Sequence, residues 1–318
     1  MPKNFKHIRP AVARHLLKQE LNQQRFVRHT AKGDNEIYIV NAHNSPNVMQ
    51  EIGRLRELSF AASGGGTGLP VDIDNHDTDE ICYQQLIVWS PEDEEIVGGY
   101  RFIDCSSLVD LDPLPLSTTH YFKLSDKFRQ KFLPYTIELG RSWVQPNFQP
   151  NLNPRKGIFS LDNLWDGLGA IVVDHPKTKH FFGKVTMYTS YNFEARDAVL
   201  AFMHHYFPDR DKLVTPHIPV GYHKNTDDFI IQLLGLDFKE GLRMLGKYVK
   251  ERNESIPPLI NAYMQLSPTM KTFGTALNHD FGDVEETGIL ITIADIFDDK
   301  KLRYIEPYLE EIKSRNQD

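Results

Sequence analysis

The chain has 318 residues, 40% of them hydrophobic and 11% aromatic, and a formal net charge of -7. That length suits one large domain with extensions or two small ones, and the acidic balance argues against a general nucleic-acid binder. Two cysteines, Cys82 and Cys105, have no C-x-x-C spacing, which argues against a disulfide framework or a zinc site and fits a reducing cytosol.

No apolar run is long enough to span a bilayer, and the first 30 residues lack the apolar core of a signal peptide, so a soluble or peripheral protein is expected. Those residues carry Lys3, Lys6, Arg9, Arg14, Lys18, Arg25 and Arg28 against one acid, Glu20, with Ala11, Leu16, Leu17 and Leu21 interleaved. Part of this reads as a basic amphipathic helix. It either attaches to anionic lipid or an acidic protein, or packs on the domain as an ordinary solvated helix.

Glu36 to Ala42 reads as a first strand, and Ser45-Pro46 starts a helix with a Ser cap and Pro at its first position. Arg56 and Phe60, four apart, share a helix face. The helix should end at the glycine cluster Gly64 to Gly68. That cluster follows a helix and lacks G-K-[ST], so it reads as a mobile loop and not a P-loop. Five acids follow between Val71 and Glu80, among them Asp72, Asp74 and Asp77, without the EF-hand order that calcium needs. Ile81 to Trp89 and Ile96 to Ile103 form a hairpin about Ser90-Pro91-Glu92-Asp93, with Arg101 on its second strand after Gly98-Gly99.

Pro113 to Pro134 reads as a connector with Lys123, Lys127, Arg129 and Lys131. The stretch Tyr135 to Pro146, YTIELGRSWVQP, is a short buried strand with Glu138, Arg141 and Ser142 as its polar residues. Alternation puts Ile137 and Leu139 on one face and Thr136, Glu138 and Gly140 on the other. Glu138 and Arg141, three apart, share a face only if the strand bends at Gly140. Such a pair either lines a cleft or is a structural ion pair.

Beyond it, Ser160 is read as the cap of a helix running through about Val172. Lys179 to Tyr188 is the next strand and Glu194 to Tyr206 the next helix. His204 to Asp209 fits H-x-x-x-x-D without the partner blocks that would give the match meaning. Asp227 to Leu234 and Phe238 to Arg252 are helices around Gly235, and Leu259 to Leu266 and Gly288 to Ile293 read as closing strands.

E-L-G-R-S-W-V-Q-P-x-F resembles the fourth-strand signature of the GNAT-fold lipid N-acyltransferases, the ornithine- and glycine-lipid branch related to the acyl-homoserine-lactone synthases. Companion pairs stand in the family's order: Arg56/Phe60, Asp74/Asp77, Arg101 and Glu138/Arg141. Gly64 to Gly68 occupy the place of an aromatic found in the synthases. The later pieces EGLRMLGKYV, PPLINAYM and HDFGDVEETGILITI fit the family loosely, so the likeness runs in scattered blocks from about Ile37 to Asp298.

The resemblance implies an α/β fold of GNAT type, a mixed sheet flanked by helices. It would occupy 35–298 with a helical insertion at about 222–254, between a basic extension (1–34) and a C-terminal helix (299–318). It implies an enzyme that moves a long 3-hydroxy acyl group to the amine of glycine or ornithine. The donor is acyl-phosphopantetheine on acyl carrier protein or CoA, used as a cosubstrate with no bound cofactor. Glu138 is the candidate base; Arg141 holds it ionised or grips the acceptor carboxylate, and Arg101 is the alternative clamp. For either arginine, the plainer role is structural partner of Asp74 or Asp77.

Arg56, Phe60, Asp74, Asp77, Ser142 and Trp143 complete the substrate site. Backbone N–H groups near the Gly140 bend stabilise the oxyanion. The donor phosphate falls at the helix start after Arg155, Lys156 and Gly157, and Lys127 and Arg129 join these as a surface for the acidic carrier. Neither Ser142 nor Cys105 has the surroundings of a nucleophile. The alternatives are a signal-forming acyl-amino-acid synthase, and a silent relative that binds the carrier or the inner-membrane surface.

Overall fold

A hydrophobic hairpin and the helices covering its two faces organise the site; the computed structural model describes residues 5–315. In chain order, α1 (Arg14–Glu20), β1 (Phe26–His29) and β2 (Glu36–Val40) precede the long helix α2 (Pro46–Ser63). The helical turn α3 (Asn75–Thr78) leads to the hairpin β3 (Gln84–Ser90) and β4 (Glu95–Asp104). Strand β5 (Phe122–Leu124), α4 (Asp126–Lys131), β6 (Thr136–Val144), α5 (Pro154–Gly157) and α6 (Ser160–Asp174) follow. Next come β7 (His180–Met187), α7 (Phe193–Tyr206), β8 (Val214–Pro216), α8 (Asp227–Leu233), α9 (Phe238–Lys250) and α10 (Pro258–Met264). Strands β9 (Lys271–Asn278) and β10 (Val284–Thr292) and helices α11 (Asp298–Tyr304) and α12 (Glu306–Arg315) end the series.

These elements fall into two compact units. One takes the stretch ending at Cys105, Ile137–Thr178 and the stretch from Asp298; the other takes Ser106–Thr136 and Lys179–Phe297. Residues of the expected N-terminal extension and of the C-terminal helix therefore both belong to the first.

In the first unit β1, β2, β3, β4 and β6 lie side by side, all antiparallel. Strands β3 and β4 are buried almost without interruption because helices cover both faces. Neighbouring residues of β3 show this. Gln85 meets Arg56 of α2, while Leu86 points to α6, where any Cβ on Gly167 would lie 2.6 Å from it. Helix α11 closes on α6 through Gly169, which sits against the Tyr304 carbonyl. The Tyr304 hydroxyl donates to Asp162 (2.8 Å).

Helix α2 begins at Ser45-Pro46 as expected, but Ser45 does not cap it, because its hydroxyl donates to Asn44. Glu20 caps instead: one carboxylate oxygen accepts from Asn47 N (3.1 Å) and the other from Val48 N (2.8 Å). The basic start of the chain is thus fastened to the domain and is only briefly helical. Arg14 pairs with Glu95 and Lys18 with Glu94, Arg9 donates to Gln50, and Arg28 is buried over the Tyr308 ring. Lys3 lies outside the described residues. No described helix is long and apolar enough to cross a membrane.

In the second unit β10 lies between β7 and β9 and pairs antiparallel with both, and β5 pairs with β8. Phe128, Phe182 and Phe273 pack together in its core. The expected connector before Pro134 thus holds a strand and a helix. The segment Leu259 to Leu266 is helix α10 and not a closing strand. Pro258 starts it, and Ile260, Tyr263 and Met264 are buried at i, i+3 and i+4, the helical period. The closing strand is the following segment, β9. His204 and Asp209 are structural: His204 bonds the Phe273 carbonyl and Asp209 accepts from Leu213 N.

Glu20→Ala should lower stability by about 1–2 kcal/mol by stripping the cap from α2. Urea unfolding would read this as a lower midpoint at unchanged slope; an unchanged midpoint would remove the capping role.

Candidate functional site

The alternation of β3, β4 and β6 puts a polar row on the face covered by α2 and α3. Gln85 stands opposite Arg101, Arg101 opposite Gly140, and Ile103 opposite Glu138, with Tyr83 two residues before Gln85. Above that row lies a lattice of three arginines and three aspartates. Arg56 donates to Asp77 (3.0 Å) and to Gln85, whose amide in turn donates to Asp77 (2.9 Å). Arg101 reaches both oxygens of Asp74 at 2.8 Å and Asp77 at 3.4 Å. Arg141 pairs with Asp72 at 2.9 Å and with Asp74 at 3.6 Å. Formal charges cancel, which is what permits burial of Arg56 and Asp77 without exposed surface.

Burial alone disfavours each of these charges. For Arg101, Asp77 and Asp74 outweigh desolvation and leave its pKa raised. Desolvation pushes Asp77 and Asp74 upward, yet the arginines pull both below the usual carboxylate range. Arg56 is the exception, lowered by a burial that Asp77 and Asp72 offset only in part. The expected pairing of Arg101 with Asp74 and Asp77 is therefore present as a structural network. Arg101 is not open to clamp a substrate in this state.

The bend in β6 is present and its position is corrected. Gly99 faces Trp143 and Arg101 faces Gly140, so Tyr100 alone opposes both Arg141 and Ser142: a β-bulge. Arg141, not Gly140, takes the left-handed backbone, at φ +46°. The extra residue resets the alternation and sends Arg141 to Asp74, which Arg101 also holds, and to Asp72. Gly98 makes the close approach possible, since a Cβ there would lie 2.4 Å from the Trp143 carbonyl oxygen.

Glu138 is fully buried and accepts a hydrogen bond from the Tyr83 hydroxyl (2.7 Å). It does not line an open cleft, contrary to the expectation for this strand. Tyr83 is also buried and carries the Arg101 guanidinium 5.0 Å from its ring. Cys105 is closed off near Glu138, its thiol pushed well up by burial and then by the Glu138 charge, consistent with its reading as no nucleophile. Phe60 is buried at the end of α2, Trp143 is buried beside Gly99, and Ser142 is half-buried.

The glycine cluster is tied back to α2 by hydrogen bonds. Glu57, itself buried, accepts from Thr67 N (2.9 Å), Thr67 Oγ1 (2.8 Å) and Gly68 N (2.9 Å). At the expected phosphate position, Ser160 is not the cap; its hydroxyl donates to the Phe148 carbonyl. Gly157 is packed against residues 148–150. Lys156 pairs with Asp93, and in the other unit Lys127 pairs with Asp211 and Arg129 with Asp112, while Arg155 is exposed. Tyr83, Gln85 and Asp72 were missing from the expected site. Extending the hairpin's two-residue period back from Arg101 through its partner Gln85 would have found the first two. Among the described residues no cluster of His, Cys, Asp and Glu could hold a metal ion.

Asp77→Ala strands two buried arginines and should destabilise by about 3–5 kcal/mol, read as a lower urea midpoint. Asp74 and Asp77 have folded pKa values below their unfolded ones. Their stabilisation is therefore complete above about pH 5 and is lost as pH falls below about 4. The wild type should lose midpoint steeply between pH 5 and 3, and Asp77→Ala should show a flatter limb.

Residues 55–155, which hold the whole lattice, the bulge and Glu138, match the family model for the acetyltransferase (GNAT) domain. The chain is 50% identical over 301 residues to the Glycine N(alpha)-acyltransferase of Bacteroides thetaiotaomicron, covering 94% of this chain and 89% of that protein. It is 48% identical over 304 residues to the Glycine N(alpha)-acyltransferase of Phocaeicola vulgatus, covering 94% and 93%. No solved structure matches it. Identity at half of all positions along nearly the full length of both relatives leads to one conclusion: the chain belongs to the GNAT-fold lipid N-acyltransferase family and is an acyltransferase.

Proposed function

We propose that this N-acyltransferase uses glycine as its acceptor and a long 3-hydroxy acyl group on the phosphopantetheine of acyl carrier protein as its donor. The glycine nitrogen attacks the thioester carbon, the C–S bond breaks, and the carrier thiol leaves with a proton as the amide forms. The observation that carries the acceptor is the identity of 50% and 48% to two relatives, both named for glycine. Nothing favours ornithine over it. The carrier and the hydroxylated chain rest on the family signature around Glu138.

The amine of glycine is protonated at neutral pH, so a proton must leave before attack. The Tyr83–Glu138 pair is the proposed route. Both groups are fully buried, so the route requires acceptor binding to uncover the phenol, which then takes the amine proton as it passes its own to the carboxylate. A 2.7 Å bond between the two buried groups supports this. Arg141, half-buried at the bulge, is the proposed partner of the glycine carboxylate. Backbone N–H groups of the bulge are the proposed oxyanion donors. Association with the inner face of a membrane is part of the same proposal, because the product is a lipid.

The test is release of carrier thiol by purified protein given 3-hydroxyacyl carrier protein and a panel of amino acids, with products weighed by mass spectrometry. Glycine should give N-acylglycine, and ornithine should release thiol at least about tenfold more slowly; a faster ornithine reaction overturns the acceptor. Glu138→Gln should lower turnover by about 10²–10⁴ with little change in KM. Tyr83→Phe should do the same. If both variants turn over normally, the pair has only a structural part.

A further inference from the structure

Helix α9 carries along one face a row of exposed cations, most of which lack an ion pair among the described residues, and its one acid, Glu240, is tied into the N-terminal cap. Its start is fixed by Asp237 and Glu240: the Asp237 side chain accepts from Glu240 N (2.8 Å) while Asp237 N donates to Glu240 (3.1 Å). Gly241, Leu245 and Val249 are buried on one face, the first against Tyr206 of α7. Opposite stand Lys239, Arg243, Lys247 and Lys250, all exposed. At 3.6 residues per turn the four occupy an arc of about 80° and a row about 16 Å long. Lys239, Arg243 and Lys250 form no ion pair with any described residue, and Lys247 has only a 4.0 Å exposed contact with Glu251. The cations near the start of the chain and on α4 and α5 mostly meet acids, as described above, in a protein of net charge -7.

The same helical hairpin exposes aliphatic surface. Helix α8, packed on α9 through Phe229 and Tyr248 (4.9 Å), leaves Ile231 and Leu234 60% and 63% exposed just before the turn at Gly235. Beside Gly246 the outer side of α9 is open. An acidic protein would satisfy the cations; an acidic lipid surface satisfies the cations and also offers apolar depth to Ile231 and Leu234. We infer that the α8–α9 hairpin is a docking surface for an anionic membrane, with α9 lying along the headgroups. This deepens the membrane part of the proposed function and moves it from the N-terminal segment. It stands independently of the acceptor.

Co-sedimentation with vesicles tests it without any substrate, so its failure is separable from failure of the acyl-transfer reading. Vesicles of one part phosphatidylglycerol to three of phosphatidylcholine should bind the protein, and pure phosphatidylcholine should not. Binding should be largely lost in 0.5 M salt, about a 4 Å screening length. The triple variant K239E/R243E/K250E should partition at least about a hundredfold less, and Leu234→Ser about tenfold less. Lys123→Glu on β5 should bind as the wild type does. Far-ultraviolet dichroism and the urea midpoint of each variant should match wild type. Equal binding of the triple variant overturns the inference. So does unchanged vesicle binding with a raised KM for acyl carrier protein, which would make α9 a protein-docking helix.

Discussion

The first unit depends on one electrostatic condition: three arginines can lie under a helix only because three aspartates meet them there. Isolated, any one of these charges would be too costly to remove from water. Together they tie β4 and β6 to α2 and to the segment that carries Asp72, Asp74 and, in α3, Asp77. The lattice fixes where α3 begins, which sheet face is polar, and how Arg141 is held. Replacing it by apolar groups of equal volume could give a fold as stable. What the ionic version adds is a unique register, since Arg101 and Gln85 meet Asp77 only when β3 and β4 pair as they do.

The bulge at Arg141 is the second constraint, and it depends on the first. A residue inserted into β6 turns Arg141 toward the aspartates, and the ion pair with Asp72 in turn holds a left-handed backbone that arginine does not prefer. Gly98 supplies the room. The result is a strand whose first half carries Glu138 into a buried, hydrogen-bonded place beside Tyr83, while regular pairing breaks at Arg141 and Ser142 and resumes at Trp143. Backbone groups freed from the ladder at the bulge are the proposed oxyanion donors, which links packing to the proposed chemistry.

Charge is distributed unequally over the molecule. Basic residues near the start of the chain serve as fasteners: Arg14 and Lys18 hold Glu95 and Glu94, while Glu20 receives the first amides of α2. Spacing alone left the same residues open to two readings, a surface-binding helix or one packed on the domain. Helix α9 has the opposite arrangement, with its apolar stripe buried and most of its cations exposed without an ion pair among the described residues.

Several features follow from local sequence alone. The start of α2 at Ser45-Pro46 and its end at Gly64, the hairpin about Ser90 to Asp93, and β6 come from proline, glycine and a two-residue period, which act within a few residues. The order of Arg56, Asp74, Asp77, Arg101, Glu138 and Arg141 was equally legible, because a family signature is a property of order. Contacts between segments distant in the chain were not: the 27 residues separating Glu20 from Asn47 and the 55 separating Tyr83 from Glu138 disappear only on folding. Nor could spacing distinguish the short helix at Pro258 from a strand, since seven residues of mixed polarity fit either period until their packing partners are fixed. Composition decides what must be buried and local pattern decides which elements form. Only the closed tertiary structure decides whether a charged side chain finds an opposite charge or meets water, because that depends on which faces come together.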